Sequence, residues 1–126
     1  MGLASNQARL NVLTARKADL EYRLMTLTNQ EQDLAVREAN LVAEKSTAYQ
    51  AFVNEVANND KDAAVDFKTT AAYIDYENAM AMLEVASNNL DMQKGKAETE
   101  YQAISAEEEE IGKLVDNNIK DRKSVV

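Results

Sequence analysis

The chain contains no histidine, no cysteine and no tryptophan. The absence of histidine removes the usual general base, and the absence of cysteine removes the thiol nucleophile and the disulfide bond. Together these two absences remove the imidazole and thiolate ligands on which zinc sites and most copper sites depend. Because the chain has no cysteine to form disulfides, its sequence is compatible with the cytosol, the periplasm and the cell exterior.

Proline is also absent, glycine occurs three times, and aromatic residues make up 6% of the 126 residues. This composition favours uninterrupted helix, because proline and glycine break helices most strongly. No stretch approaches the roughly 20 apolar residues of a membrane span. The first 30 residues lack the apolar block of a secretory signal. We therefore expect no membrane span, and a chain that is either cytoplasmic or exported by a signal-less route.

Leucine recurs at every seventh position from Leu13 to Leu41, as is typical of a coiled coil. A second apolar column with the same spacing runs from Leu83 to Ile111. The simplest way to cover both columns is an all-α fold, a long antiparallel two-helix hairpin of coiled-coil type. We predict a single domain over residues 1–126, with a helix over about 4–57, a turn over about 58–62 and a helix over about 63–122.

Turn-favouring side chains predict where the chain reverses direction. Residues 58–62 hold the densest run of Asn and Asp, whose side chains bond to nearby backbone and compete with helix. We expect Ser5 to cap the first helix and Asp60 or Asp62 to cap the second. Asn88 and Gly95 are the weak points of the second helix, and a break near Asn88 would make a three-helix bundle.

The charge pattern favours a helix that folds back on itself. Residues 1–30 carry four basic and two acidic side chains, whereas residues 75–116 carry three basic and eleven acidic ones. Antiparallel pairing lays the column of Arg9, Arg16, Arg23 and Arg37 along Glu107 to Glu110, then Glu100 or Glu98, and then Glu84. Exposed ion pairs contribute under about 1 kcal/mol each, so we expect them to select the register of the helices and not to supply the stability.

Two sets of apolar residues follow from the periodicity. The predicted hairpin core consists of Leu10, Leu13, Leu20, Leu24, Leu27, Leu34, Leu41, Phe52, Met80, Leu83, Leu90, Tyr101, Ile104 and Ile111. The apolar stripes are wider than a two-stranded coiled coil needs, so we expect further residues to contact other subunits. These predicted subunit contacts are Val12, Tyr22, Val36, Val53, Tyr73, Tyr76 and Met82.

No cluster of side chains predicts a chemical site. Glu107 to Glu110 are consecutive and point in four directions around a helix, so they cannot converge on one ion. Asp60, Asp62 and Asp66 lack the glycine and the closing glutamate of a calcium loop. We expect no enzymatic activity, no cofactor and no metal. The net charge of −8 argues against a nucleic-acid partner, because phosphates are bound by clustered Lys and Arg.

The N-terminal phrase from Ala4 to Leu10, followed by Leu13 to Lys17 and Asp19 to Tyr22, resembles the start of a group of small uncharacterised bacterial helical proteins. Their closing segment is similar to Thr99 to Tyr101 and Ile111 to Lys120. This resemblance implies a helical fold and no particular activity. In architecture, a short hairpin with paired terminal helices is also similar to the axial needle and filament subunits of type III secretion and flagellar systems.

These observations lead to two hypotheses of different class. In the first, the chain is a non-enzymatic structural subunit that self-associates, forming a helical filament through head-to-tail contacts or a closed four-helix dimer through a twofold contact. In the second, it is a cytoplasmic adaptor or chaperone that holds an amphipathic helix of a partner protein. Particle mass that increases with protein concentration would favour the first hypothesis. A stable monomer or dimer that co-purifies with a partner would favour the second.

Overall fold

The structure is a computed structural model that describes residues 2–125 of the backbone and side chains up to residue 120. Helix α1 spans Leu3–Ala57, a short 3-10 helix spans Phe67–Thr69, and helix α2 spans Ala71–Val125. No strand occurs among the described residues. The two long helices pack against each other, which confirms the all-α helical hairpin. The coiled-coil assignment and the packing in an oligomer remain predictions.

Helix α1 ends where the Asn- and Asp-rich run begins. Asn59 adopts a left-handed backbone conformation with φ of 63°. The Asp60 amide donates to the Glu55 carbonyl at 2.8 Å, and the Asn59 amide donates to the Val56 carbonyl at 3.1 Å. This pair of bonds is a Schellman motif, in which Asn takes the place that glycine usually holds. At the other end, Ser5 lies inside the first turn and does not cap the helix, because α1 already begins at Leu3.

Helix α2 begins at Ala71, eight residues later than predicted, so the expected start near Ala63 is wrong. The reason is local bonding by aspartate: Asp62 Oδ1 accepts from the Ala64 amide at 2.9 Å, and Asp66 Oδ1 accepts from the Lys68 amide at 3.1 Å. These bonds stabilise turns in place of helix. Asp66 therefore caps the 3-10 helix.

The cap of α2 is Thr70, and not Asp60 or Asp62. Thr70 has extended backbone dihedrals, and its Oγ1 accepts from the Tyr73 amide at 3.4 Å. The first backbone bond of α2 runs from the Ile74 amide to the Thr70 carbonyl at 3.1 Å. Beyond this point α2 continues through Asn88 and Gly95 without a break, so the three-helix alternative is excluded.

The chain forms two compact units. The terminal unit consists of Met1–Thr28 and Met92–Val126, and the turn unit consists of Asn29–Asp91. In the terminal unit the helices run in opposite directions, since Arg9 pairs with Glu107 and Arg16 pairs with Glu100.

The terminal unit contains a closed core. Leu13 and Leu27 are each 4% exposed. The other buried side chains of this core are Leu20, Ala97, Ile104, Ile111 and Val115. Asn6 continues the leucine column by one heptad and is also buried. A polar residue in such a column favours one register of the helices over others.

The turn unit is packed less tightly. None of its residues 29–91, all of which the structure describes, is buried. Leu34 and Leu41 continue the column of Leu13, Leu20 and Leu27, yet both are only half-buried. The predicted core residues Phe52, Met80, Leu83 and Leu90 are half-buried as well. The same sequence pattern therefore leads to complete burial in one unit and to partial burial in the other.

Truncation of the leucine column should have different costs in the two units. Leu20→Ala removes a buried side chain and should lower the free energy of unfolding by about 3 kcal/mol. Leu34→Ala removes a half-buried side chain and should cost about 1 kcal/mol. Urea unfolding followed by circular dichroism measures both values, and equal costs would contradict the difference in packing.

Thr70 should contribute to stability through its cap. Thr70→Ala leaves the Tyr73 amide without its acceptor and should destabilise the chain by about 1 kcal/mol. Ser5→Ala is the matched control, because Ser5 lies inside a helix where alanine is the better helix former. The same unfolding experiment should show no loss for the control, whereas a loss at Ser5 alone would indicate that the helix starts are assigned wrongly.

Candidate functional site

Most of the predicted subunit contacts lie on the surface. Tyr22 is 72% exposed and Met82 is 74% exposed, and Val12, Val36 and Val53 are exposed as well. Tyr73 and Tyr76 are half-buried instead. The structure therefore separates the seven residues into five that are available to a partner and two that already pack within the chain.

Tyr73 and Tyr76 belong to an aromatic cluster in the turn unit. The 3-10 helix places the Phe67 ring with its centroid 5.2 Å from that of Tyr49 and 5.8 Å from that of Tyr73. The Tyr76 ring centroid lies 6.1 Å from that of Tyr73, and the ammonium of Lys45 lies 4.6 Å from the Tyr76 centroid. This cluster joins α1, the turn and α2, so we assign it a structural role.

Ion pairs join the two helices of the terminal unit. Besides the pairs of Arg9 and Arg16, Lys17 Nζ lies 3.7 Å from Glu108 Oε1, and the Tyr101 hydroxyl donates to Glu21 Oε1 at 2.9 Å. The acidic run is thus partly occupied by basic side chains of α1, as the charge pattern predicted. Among the described residues, no group of three or more acidic side chains is arranged to hold a metal ion.

One face of α1 carries no charge, and we call it the uncharged face. It consists of the two heptad columns farthest from the leucines, and all of its side chains are exposed. In the terminal unit its members are Ala4, Ala8, Asn11, Ala15, Ala18, Tyr22 and Met25. In the turn unit its members are Asn29, Gln32, Val36, Ala39, Ala43, Ser46, Gln50, Val53 and Ala57. The sequence analysis predicted Tyr22, Val36 and Val53 of this face as subunit contacts but missed the face as a whole, because it followed the apolar columns and not the columns without charge.

The turn unit also contains an open groove of about 910 Å³. Side chains of α1 and α2 line it, with Leu34, Met80 and Leu83 forming its apolar part. Its acidic residues are Glu31, Glu38, Glu77, Glu84 and Asp91. No Lys or Arg lines this groove, whose lining is fully described. The sequence could not reveal it, because the groove depends on how closely the helices approach each other.

One tyrosine of the turn unit has a shifted acidity. A hydrogen bond with the side chain of Glu77, one helical turn further along α2, raises the pKa of the Tyr73 hydroxyl above its usual value of 10.0. Partial burial and the negative charge of Glu77 act in the same direction. These three effects all disfavour the phenolate, so the Tyr73 hydroxyl remains a neutral hydrogen-bond donor through the physiological pH range.

Comparisons with known proteins supply no relative. No protein-family model, no curated protein and no solved structure matches this chain. No helix among the described residues is long and apolar enough to cross a membrane. A function for the chain is therefore argued from the geometry and charge of its two exposed surfaces, the uncharged face and the groove.

The raised pKa of Tyr73 is directly testable. Glu77→Gln should bring the pKa of Tyr73 back toward its usual value, because the negative acceptor is lost, while Glu98→Gln should leave it unchanged. NMR titration of the tyrosine ring carbons, with the Tyr73 signal assigned from Tyr73→Phe, measures the shift. Because the folded-state pKa is raised, the contribution of this contact to stability is present at neutral pH and is lost as pH rises through that pKa. An unchanged titration in Glu77→Gln would contradict the assignment.

Proposed function

We propose that this chain is a non-enzymatic structural subunit that assembles with copies of itself into a helical filament of the kind found in secretion-type appendages. The observation that carries the proposal is the uncharged face of α1. Charged residues make up 29% of the chain, yet none occurs at the sixteen positions of this face, all of which are exposed. In an ordinary hairpin, the columns farthest from the core are the most strongly solvated and charged.

Charge explains why copies would meet at this face. The chain has a net charge of −8, so two copies repel each other wherever acidic surfaces approach. The uncharged face avoids this repulsion. Its alternating spacing of three and four residues is the spacing by which one helix packs along another. In the terminal unit, four of its seven members are alanine, and small side chains let two helix axes approach closely.

The terminal unit also provides larger anchors on this face. Tyr22 and Met25 are three residues apart and exposed by 72% and 60%, so they lie side by side on the helix surface. Exposed tyrosine and methionine are enriched where proteins contact each other, and charged residues are depleted there. We therefore place the centre of the subunit contact at these two side chains. A head-to-tail contact, in which this face meets a different surface of the next copy, gives an open filament, whereas a twofold contact of the face with itself closes a four-helix dimer.

A second candidate function is an adaptor or chaperone that binds an amphipathic helix of a partner protein. The specific observation in its favour is the groove of the turn unit, which combines apolar and acidic side chains. The groove and the uncharged face use different side chains of α1. The two functions therefore depend on different residues and can be tested independently.

Self-assembly should depend on the uncharged face. Light scattering across a range of concentrations should show the mass of the wild-type chain increasing, and negative-stain microscopy should show elongated particles. The double variant Ala15→Glu/Tyr22→Glu adds two charges to the face while keeping good helix formers, so it should remain a small species.

The matched control is Gln93→Glu/Gln102→Glu, which adds the same two charges at exposed positions of α2. It should assemble like the wild type, and circular dichroism should show equal helix content in all three proteins. A wild-type chain that stays monomeric at every concentration would contradict self-assembly. Equal loss of assembly in both variants would place the contact elsewhere.

A further inference from the structure

The groove of the turn unit lies where burial along the leucine column becomes incomplete. Leu13, Leu20 and Leu27 are buried, whereas Leu34, one heptad further, is half-buried and lines the groove. On α2, Met80 and Leu83 are also half-buried and line it. The apolar area that remains in water here is area that an additional element could cover.

Small residues keep this part of the groove open. Ala35 of α1 and Ala81 of α2 both line the groove, and both are exposed. Alanine has no side chain beyond Cβ, so it leaves Leu34, Met80 and Leu83 accessible from outside. A long side chain at either position would cover its leucine or methionine neighbours from within the chain, as Lys stems often do.

The dimensions of the groove fit one helix. Its α2 lining extends from Tyr76 to Asp91, with Glu77, Ala81, Glu84 and Asn88 at spacings of three and four residues. From the first to the last of these sixteen residues the helix rises about 22 Å, at 1.5 Å per residue. A partner helix of about four turns, laid along α2 and beside residues 31–38 of α1, would cover the groove and form a local three-helix packing.

The charge of the groove specifies the polar part of such a partner. Five carboxylates line it and no basic side chain does. An incoming helix with acidic flanks would be repelled, while Lys or Arg beside its apolar stripe would meet opposite charge. The complement of this groove is therefore an amphipathic helix whose apolar stripe is flanked by basic residues.

We propose that the groove of the turn unit is a docking site for a basic amphipathic helix of another protein, about four turns long. Leu34, Met80 and Leu83 contact the apolar stripe of the partner, and Glu38, Glu77 and Glu84 pair with its Lys or Arg side chains. This docking site does not use the uncharged face. The docking proposal can therefore be tested independently of self-assembly.

The test uses a synthetic probe and the full-length chain. A labelled 15-residue helical peptide carries leucine at the spacing of one helix face and lysine on both flanks, and its binding is followed by fluorescence anisotropy. One comparison peptide has glutamate in place of every lysine, and another has glutamine in place of every leucine. We expect one bound peptide per chain for the basic amphipathic peptide and no measurable binding for either comparison peptide.

Matched variants locate the site. Glu38→Gln/Glu84→Gln removes two charges from the groove and should weaken peptide binding roughly tenfold. Glu98→Gln/Glu110→Gln removes two charges from exposed positions outside the groove and should leave the affinity within about twofold. Circular dichroism checks that both variants keep the helix content of the wild type.

Three results would overturn the proposal. Equal weakening in the two variants would show that the peptide follows net charge and not the groove. Binding of the glutamine-substituted peptide as tightly as the leucine peptide would show that the apolar part of the groove is not used. A fall in the fraction of bound peptide as the concentration of the chain is raised would show that a second copy of this chain occupies the groove.

Discussion

Both long helices have an apolar side chain at nearly every seventh position, and the fold depends on covering that column. Most helical stability in proteins comes from packing an apolar face against a neighbour and not from helix propensity. In the terminal unit α2 supplies the neighbour, and Leu13, Leu20 and Leu27 are buried against a core that includes Ala97, Ile104 and Ile111. In the turn unit the column continues, but burial is incomplete. The groove of the turn unit follows from this division, because it lies where burial is incomplete.

Charge is the second constraint, because it determines which surfaces can contact each other. The ion pairs of Arg9, Arg16 and Lys17 with α2 are partly exposed, so they favour one register of the terminal unit without supplying much stability. The same reasoning applies to contacts with other molecules. The uncharged face of α1 allows an acidic chain to approach another copy, and the acidic groove of the turn unit excludes acidic partners and favours basic ones. We therefore propose self-association through the uncharged face and recognition of a different partner through the groove.

The sequence predicts the hairpin well because its strongest signals are long and regular. Five leucines, each seven residues after the last, indicate a long first helix, and the Asn- and Asp-rich run at residues 58–62 indicates where it ends. Helix α1 does end at Ala57. The start of α2 was predicted eight residues too early, because Asp62 and Asp66 bond to the backbone two residues ahead and so stabilise turns. That competition is set by local geometry, which residue types alone do not fix.

The two surfaces differ in how far the sequence could have revealed them. The uncharged face was readable, since Tyr22, Val36 and the alanines between charged columns share two heptad positions, but its exposure is known only from the fold. The groove was not readable, because Leu34 and Leu41 have the same spacing as Leu20 and Leu27. Whether a column closes depends on the opposing side chains and on the distance between helices, and periodicity contains neither quantity.

Residue-resolved amide hydrogen exchange tests the central claim most directly, at a concentration where light scattering shows a single species. Amides open with free energies that follow the local density of buried contacts. The account predicts slow exchange in α1 around Leu13 to Leu27 and in α2 around Ala97 to Val115, and markedly faster exchange around Leu34 to Phe52 and Tyr73 to Leu90. Uniform protection along both helices, or slower exchange in the turn unit than in the terminal unit, would contradict it.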